Sequence, residues 1–222
     1  MLKLTSMKIK LIIFDLDGTL VNSSADITNA LNYAGRPYGL ETLTVEKTVS
    51  LVGEGVTRMI EKLLGERWAD LRCVVLERFL EHYSRHLTDY TVPYPGVRNT
   101  LEMLGNYKKA VISNKREDLS LRLLEDLELS GYFDVIWGGD SAPEKKPSPV
   151  PVLEMLKKVS CGHDEAVIVG DSNYDIEAGR AAGVRTVAVS YGYRDVSFLK
   201  DADFIIDSME ELTSRLDIFN AA

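Results

Sequence analysis

Short runs of branched apolar residues, each ending abruptly in polar ones, occur once near the start of the chain and repeatedly through its second half. Ile9 to Phe14 (IKLIIF) is the first, and Lys109 to Ser113, Val135 to Trp137, Ala166 to Gly170, Arg185 to Ser190 and Asp203 to Ile206 follow. Continuous apolar runs this short predict strands buried on both faces. Between them, Glu117 to Leu129, Val150 to Val159 and Tyr174 to Ala182 carry apolar residues at helical spacing. Alternating strands and helices of this kind predict an α/β fold, a doubly wound parallel sheet covered by helices on both faces.

From about Ser24 to Tyr94 no strand pattern recurs, a stretch far longer than an ordinary crossover. Val56, Met59, Ile60, Leu63 and Leu64, and then Trp68, Leu71, Val75, Phe79, Tyr83 and Leu87, recur every three or four residues, so the stretch predicts a helical insertion. The expected organisation is an α/β core of residues 1–22 and 95–222 and a helical inserted domain of residues 23–94. The chain would cross between them after Leu20 and at the turn-rich Pro93-Tyr94-Pro95-Gly96.

The candidate chemistry sits where apolar runs end. Asp15-Leu16-Asp17-Gly18-Thr19 closes the first strand, and ligands of open α/β sheets bind beyond the carboxyl ends of strands. Alternate residues share a face, so the Asp15 and Asp17 carboxylates approach one small volume, which is tolerable if a cation lies between them or one keeps a proton. An EF-hand loop is excluded, because it needs Gly at its sixth position and Glu at its twelfth, where this chain has Leu20 and Asp26. Gly170-Asp171-Ser172-Asn173-Tyr174-Asp175 repeats the placement after another strand, although Ser172 and Asp175 also fit a helix capping box. Four acids at two strand ends form a hard oxygen site of the kind Mg²⁺ prefers. Ser113, Asn114 and Lys115 end the second core strand with donors suited to phosphate, and Lys146 of Lys145-Lys146-Pro147 supplies a point charge. In the insertion, Gly53 and Gly55 precede a helix with Arg58 one turn on, a corner that attracts an anion such as a substrate carboxylate. Gly53-Glu54-Gly55 follows no strand and is no dinucleotide loop, and His82 and His86 lack a third zinc ligand.

These motifs, in this order from Ile9 to Asp207, resemble the haloacid dehalogenase superfamily, specifically its phosphatases, and within them phosphoglycolate phosphatases. The resemblance implies a Rossmann-like sheet with a cap inserted after the first strand. It implies Asp15 as the nucleophile that becomes a phosphoaspartate and Asp17 as general acid and base. Ser113 and Asn114 would hold the phosphoryl oxygens, with Lys146 balancing their charge. Mg²⁺ would be bound by Asp15, the Asp17 carbonyl and Asp171, and Asp175 would support the metal shell. Thr19 ties the loop to a carboxylate. An acid at position 17 fits a phosphatase rather than a dehalogenase, whose halide leaves without a proton. Pyrophosphatases, nucleotidases and sugar phosphomutases share much of the pattern. A phosphoaspartate signalling receiver shares the chemistry but needs no helical insertion.

Composition narrows the partners. The 222 residues, 45% hydrophobic and 27% charged, suit a folded globular chain. A formal charge of −8 argues against nucleic acid and favours a small phosphorylated metabolite. No apolar run approaches membrane-spanning length and no signal-peptide pattern opens the sequence, so a cytoplasmic monomer or homodimer without membrane contact is expected. Cys73 and Cys161, far apart and outside any CxxC, fit a reducing compartment.

Overall fold

The computed structural model describes residues 9–221. Its main sheet is built from β1 (Leu11–Phe14), β4 (Lys108–Ile112), β5 (Val135–Trp137), β6 (Ala166–Gly170), β7 (Arg185–Val189) and β8 (Phe204–Ile206), all parallel. The order is β5-β4-β1-β6-β7-β8. The chain winds outward from β1 on one side, then returns to β6 on the other. β1 is therefore flanked by β4 and β6, and the crevice beyond their carboxyl ends is the topological switch point.

The apolar runs divide by pleat. Ile12 and Phe14 join Val111, Val167, Val169 and Val187 in the larger core cluster, whereas Leu11 and Ile13 join Ala110, Ile112, Ala166 and Ile168 on the opposite face. Helix α7 (Val150–Val159) and helix α8 (Asn173–Ala182) cover that second face with Val152, Met155 and Ala178. The first is covered by α5 (Val97–Met103), α6 (Glu117–Asp126) and α9 (Leu212–Ala221), with Leu101, Leu123 and Leu216 in its core. Each large aliphatic side chain so buried contributes roughly 1.5–3 kcal/mol of transfer free energy.

The insertion holds α1 (Ser24–Gly35), α2 (Val45–Val49), α3 (Val56–Leu64) and α4 (Arg72–Tyr83). Its long apolar pattern spans more than one element: Ala69–Leu71 is a 3₁₀ turn, and regular helix ends at Tyr83, four residues before Leu87. The pattern from Glu117 to Leu129 is also shorter as helix, because Glu128 turns to a φ of 55°. A feature the apolar pattern does not announce is the ribbon of β2 (Val21–Asn22) and β3 (Val92–Pro93), which pair antiparallel where the chain leaves and re-enters the core. Beside it the buried Asp26 carboxylate accepts from Tyr90 N–H at 3.0 Å, Thr91 N–H at 2.8 Å and the Thr91 hydroxyl at 2.7 Å. Both ends of the insertion are thereby tied to each other. No helix among the described residues is long and apolar enough to cross a membrane.

Candidate active site

Where β1 ends, the Asp15 side chain meets Lys146, whose Nζ lies 2.8 Å from Asp15 Oδ1 and 2.6 Å from Asp175 Oδ1 and donates to the Ile112 carbonyl. This lysine, carried by the loop after β5, is buried. Burial opposes its charge, but Asp15 and Asp175 outweigh that and hold it above the ordinary lysine range. Asp175 is fully buried and has two tasks. Its Oδ1 bonds Lys146, while Oδ2 accepts from the Ser172 N–H and hydroxyl, completing the capping box of α8. The two readings of Ser172-Asn173-Tyr174-Asp175, cap and acidic site, are met by the two oxygens of one carboxylate.

Asp171, at the end of β6, accepts from the Tyr193 N–H at 2.7 Å and from the Thr19 hydroxyl at 3.4 Å. Asp15, Asp171 and Asp175 each bring a carboxylate oxygen within 4.8 Å of the others, the only such group of potential metal ligands among the described residues. Burial, with the neighbouring Asp175 charge, pushes Asp15 up to about 7 against the pull of Lys146. Burial and the charges of Asp15 and Asp175 raise Asp171 well above the ordinary carboxylate range. Hard oxygen donors whose repulsion one lysine leaves uncompensated fit a divalent cation of the Mg²⁺ class. Space is reserved for these carboxylates by backbone without side chains. Gly18, at φ 88°, would bring a Cβ 2.3 Å from Asp171 Oδ2, and Gly192 would bring one 2.2 Å from Asp171 Cβ.

Asp17 faces the same cleft through a different set of partners. Lys115 Nζ lies 2.8 and 2.7 Å from its two oxygens, and the Ser23 hydroxyl donates to Oδ1. The Ser23 N–H in turn donates to the Tyr193 hydroxyl at 2.9 Å. Lys115 is therefore engaged with Asp17. Asn114 is engaged too: its Nδ2 donates to Gly53 O at 2.7 Å and Lys146 O at 2.8 Å, and its Oδ1 accepts from the Lys146 N–H. The Asn114 side-chain amide thus braces the loop of Lys146 and the insertion, while the residue also lines the cleft. Ser113, buried at the same strand end, has its hydroxyl facing the Lys115 N–H at 3.2 Å.

The cleft encloses about 750 Å³ including its mouth, and Asp15, Asp17, Ser113, Lys115, Lys146 and Asp171 line its floor. Gly53 also reaches it, whereas Arg58 does not. The Arg58 side chain is 61% exposed and pairs with Glu61 at 2.5 Å and Glu54 at 3.6 Å, so the expected anion corner is neutralised by the acids of its own helix turn. Lys62 adds a further contact to Glu54. Arg194, which also lines the cleft, donates to the carbonyls of Val52 and, at 3.3 Å, Ser50. Ser23, Tyr83, Tyr193 and Arg194 were not singled out in the sequence. For Tyr193 and Arg194 the signal was present, since they follow β7 as Asp171 follows β6. His82 and His86 stack with ring centroids 4.3 Å apart, and His82 also stacks on Tyr33.

Comparison with known proteins agrees with this architecture. Residues 12–189 match the haloacid dehalogenase-like hydrolase family. The chain is 40% identical over 210 residues to the phosphoglycolate phosphatase of Aquifex aeolicus, covering 94% of this chain and 97% of that protein. It is 41% identical over 211 residues to the phosphoglycolate phosphatase of Chromobacterium violaceum, covering 92% and 95%. The crystal structure of a predicted phosphoglycolate phosphatase from Haemophilus somnus superposes with a TM-score of 0.87 at 29% identity, covering 94% of this chain and 98% of that one. With the family matched across β1 to β7 and its motifs gathered at one sheet edge, the chain belongs to the haloacid dehalogenase-like hydrolases.

Proposed function

We propose that the protein is a Mg²⁺-dependent phosphomonoesterase that hydrolyses 2-phosphoglycolate to glycolate and phosphate through a phosphoaspartate on Asp15. The observation that carries this reading is the Asp15–Lys146–Asp175 cluster beside Asp171 on the floor of a closed-in cleft. Similarity to phosphoglycolate phosphatases over almost the whole chain supports the choice of substrate.

Asp15 and Asp171 would hold Mg²⁺, with the Asp17 carbonyl, and Asp175 would brace them through Lys146. When bound, the ion offsets the repulsion between a phosphate dianion and a carboxylate nucleophile. Lys146 contributes a second positive charge at Asp15. The Asp15 oxygen attacks phosphorus, forming the acyl phosphate as the bond to the glycolate oxygen breaks, and Asp17 gives that oxygen its proton. Water then attacks phosphorus and loses a proton to Asp17, and the Asp15–phosphorus bond breaks. Ser23 and Lys115 hold the Asp17 carboxylate in place between the two transfers. Ser113 stands at the strand end beside the reacting oxygens. The apolar wall of the insertion offers a base and sugar few hydrogen-bond partners, so nucleotides should be poor substrates.

A phosphate-release screen with Mg²⁺ over phosphorylated metabolites tests this. 2-Phosphoglycolate should lead the panel, nucleoside monophosphates should trail, and Asp15→Asn, which fills the same volume without a nucleophilic oxygen pair, should lose at least about 10³-fold while keeping its thermal midpoint. Undiminished turnover by folded Asp15→Asn would refute the covalent route.

A further inference from the structure

The wall of the cleft facing the carboxylates comes from the insertion: Ile27, Val56, Met59, Phe79 and Tyr83. Four of these are apolar, and the Tyr83 hydroxyl is the one hydrogen-bonding side-chain group of consequence among them. Tyr83 is 2% exposed, and its hydroxyl has no close hydrogen-bond partner among the described residues, although the Lys115 ammonium lies beside it. A buried hydroxyl without a close acceptor costs stability that phenylalanine would not, and an acceptor entering the cleft would relieve that cost.

Lys115 adjoins it, with Nζ seated over the Tyr83 ring 4.8 Å from the centroid and 2.7 Å from Asp17. The other basic groups around the cleft are differently placed. Lys146 is enclosed by Asp15, Asp175 and the Ile112 carbonyl, Arg194 is spent on carbonyls of the insertion, and Arg116 pairs with Asp118. Asp17, the group that would protonate the leaving oxygen, is bordered by Ser23, which bonds Tyr193, and by Lys115; of these only Lys115 carries a positive charge for a carboxylate, and the Tyr83 ring lies under it.

We infer that Tyr83 and Lys115 form the subsite for the carboxylate of the leaving group, the Tyr83 O–H donating to one oxygen and Lys115 Nζ to the other. The inference rests on the proposed 2-phosphoglycolate reading and moves the specificity role from Arg58 to the opposite end of the insertion. A carboxylate there gives the orphan hydroxyl its acceptor and shares the ammonium with Asp17.

The test compares kcat/KM for 2-phosphoglycolate with that for ethyl phosphate, which has the same chain length but no carboxylate, in wild type and Tyr83→Phe. The wild type should prefer 2-phosphoglycolate, and Tyr83→Phe should cut the ratio roughly tenfold or more, mainly through KM for the carboxylated substrate, as loss of a hydrogen bond to a charged group does. Its thermal midpoint should hold or rise, because no protein partner is lost. Equal losses on both substrates, an unchanged ratio, or a fall of the midpoint by several degrees would overturn the inference. A wild type without preference for 2-phosphoglycolate would instead overturn the substrate reading, so the two failures are distinguishable.

Discussion

A methyl group at residue 18 has nowhere to go: it would lie within 2.3 Å of Asp171, on a backbone whose φ of 88° already disfavours any side chain. Gly18→Ala should therefore displace Asp171 relative to Asp15. A displacement of about 1 Å in such a site costs on the order of 10²-fold. Steady-state phosphate release should fall by at least that factor in a protein that still folds, and a Gly18→Ala enzyme of normal activity would mean that the carboxylate positions are not coupled. The motifs around Asp15, Asp171 and Lys146 were legible at this scale because each is local and each follows an apolar run. Their partners were not. Asn114 meets Gly53 and Lys115 meets Asp17 across separations of 61 and 98 residues, so what each side chain does depends on how the elements pack, which no window of sequence contains.

At the scale of elements, two strand-end loops and the first turn of α8 each send one side chain to the same stretch of the insertion. Asn114 after β4 donates to Gly53 O, Tyr174 after β6 donates to Glu54, and Arg194 after β7 donates to Val52 O and Ser50 O. Arg194 carries the most of these contacts and follows β7, which does not neighbour β1 in the sheet. Arg194→Ala should loosen the insertion over the cleft and raise KM several-fold for carboxylated and plain phosphate esters alike, in contrast to the selective effect expected at Tyr83; a change confined to one substrate class would contradict a purely docking role. The main strands were legible because continuous apolar runs have few other homes in a soluble fold. The β2–β3 ribbon was not, because two residues per strand leave no periodicity, and the helix ends were misjudged where apolar spacing runs on through 3₁₀ turns and Glu128.

For the whole molecule, binding of the proposed ion at the acidic triad would make stability depend on metal. Saturating Mg²⁺ at about a hundred times its Kd adds roughly 2.7 kcal/mol, which for a chain of this size moves the thermal midpoint by on the order of 5–10 °C. Chelation should abolish phosphate release and reverse that shift. Asp171→Asn should erase the shift while stabilising the metal-free protein, since it removes one of three crowded carboxylates; calorimetric scans with and without Mg²⁺ decide the matter, and an undiminished shift in Asp171→Asn would exclude Asp171 as a ligand. The parallel sheet was legible at this scale from the order of strand and helix alone. Val21 and Asn22 pair with Pro93 and Val92. Entry and exit of the insertion are neighbouring strands, so the sheet experiences everything between them as a closed loop, and the entropic cost of such a loop rises only slowly with its length. The ribbon is thus a graft junction. A different excursion spliced at the same two strands would present a new wall to the same carboxylates, so that the choice of substrate can be exchanged as a cassette while the reaction stays with the sheet.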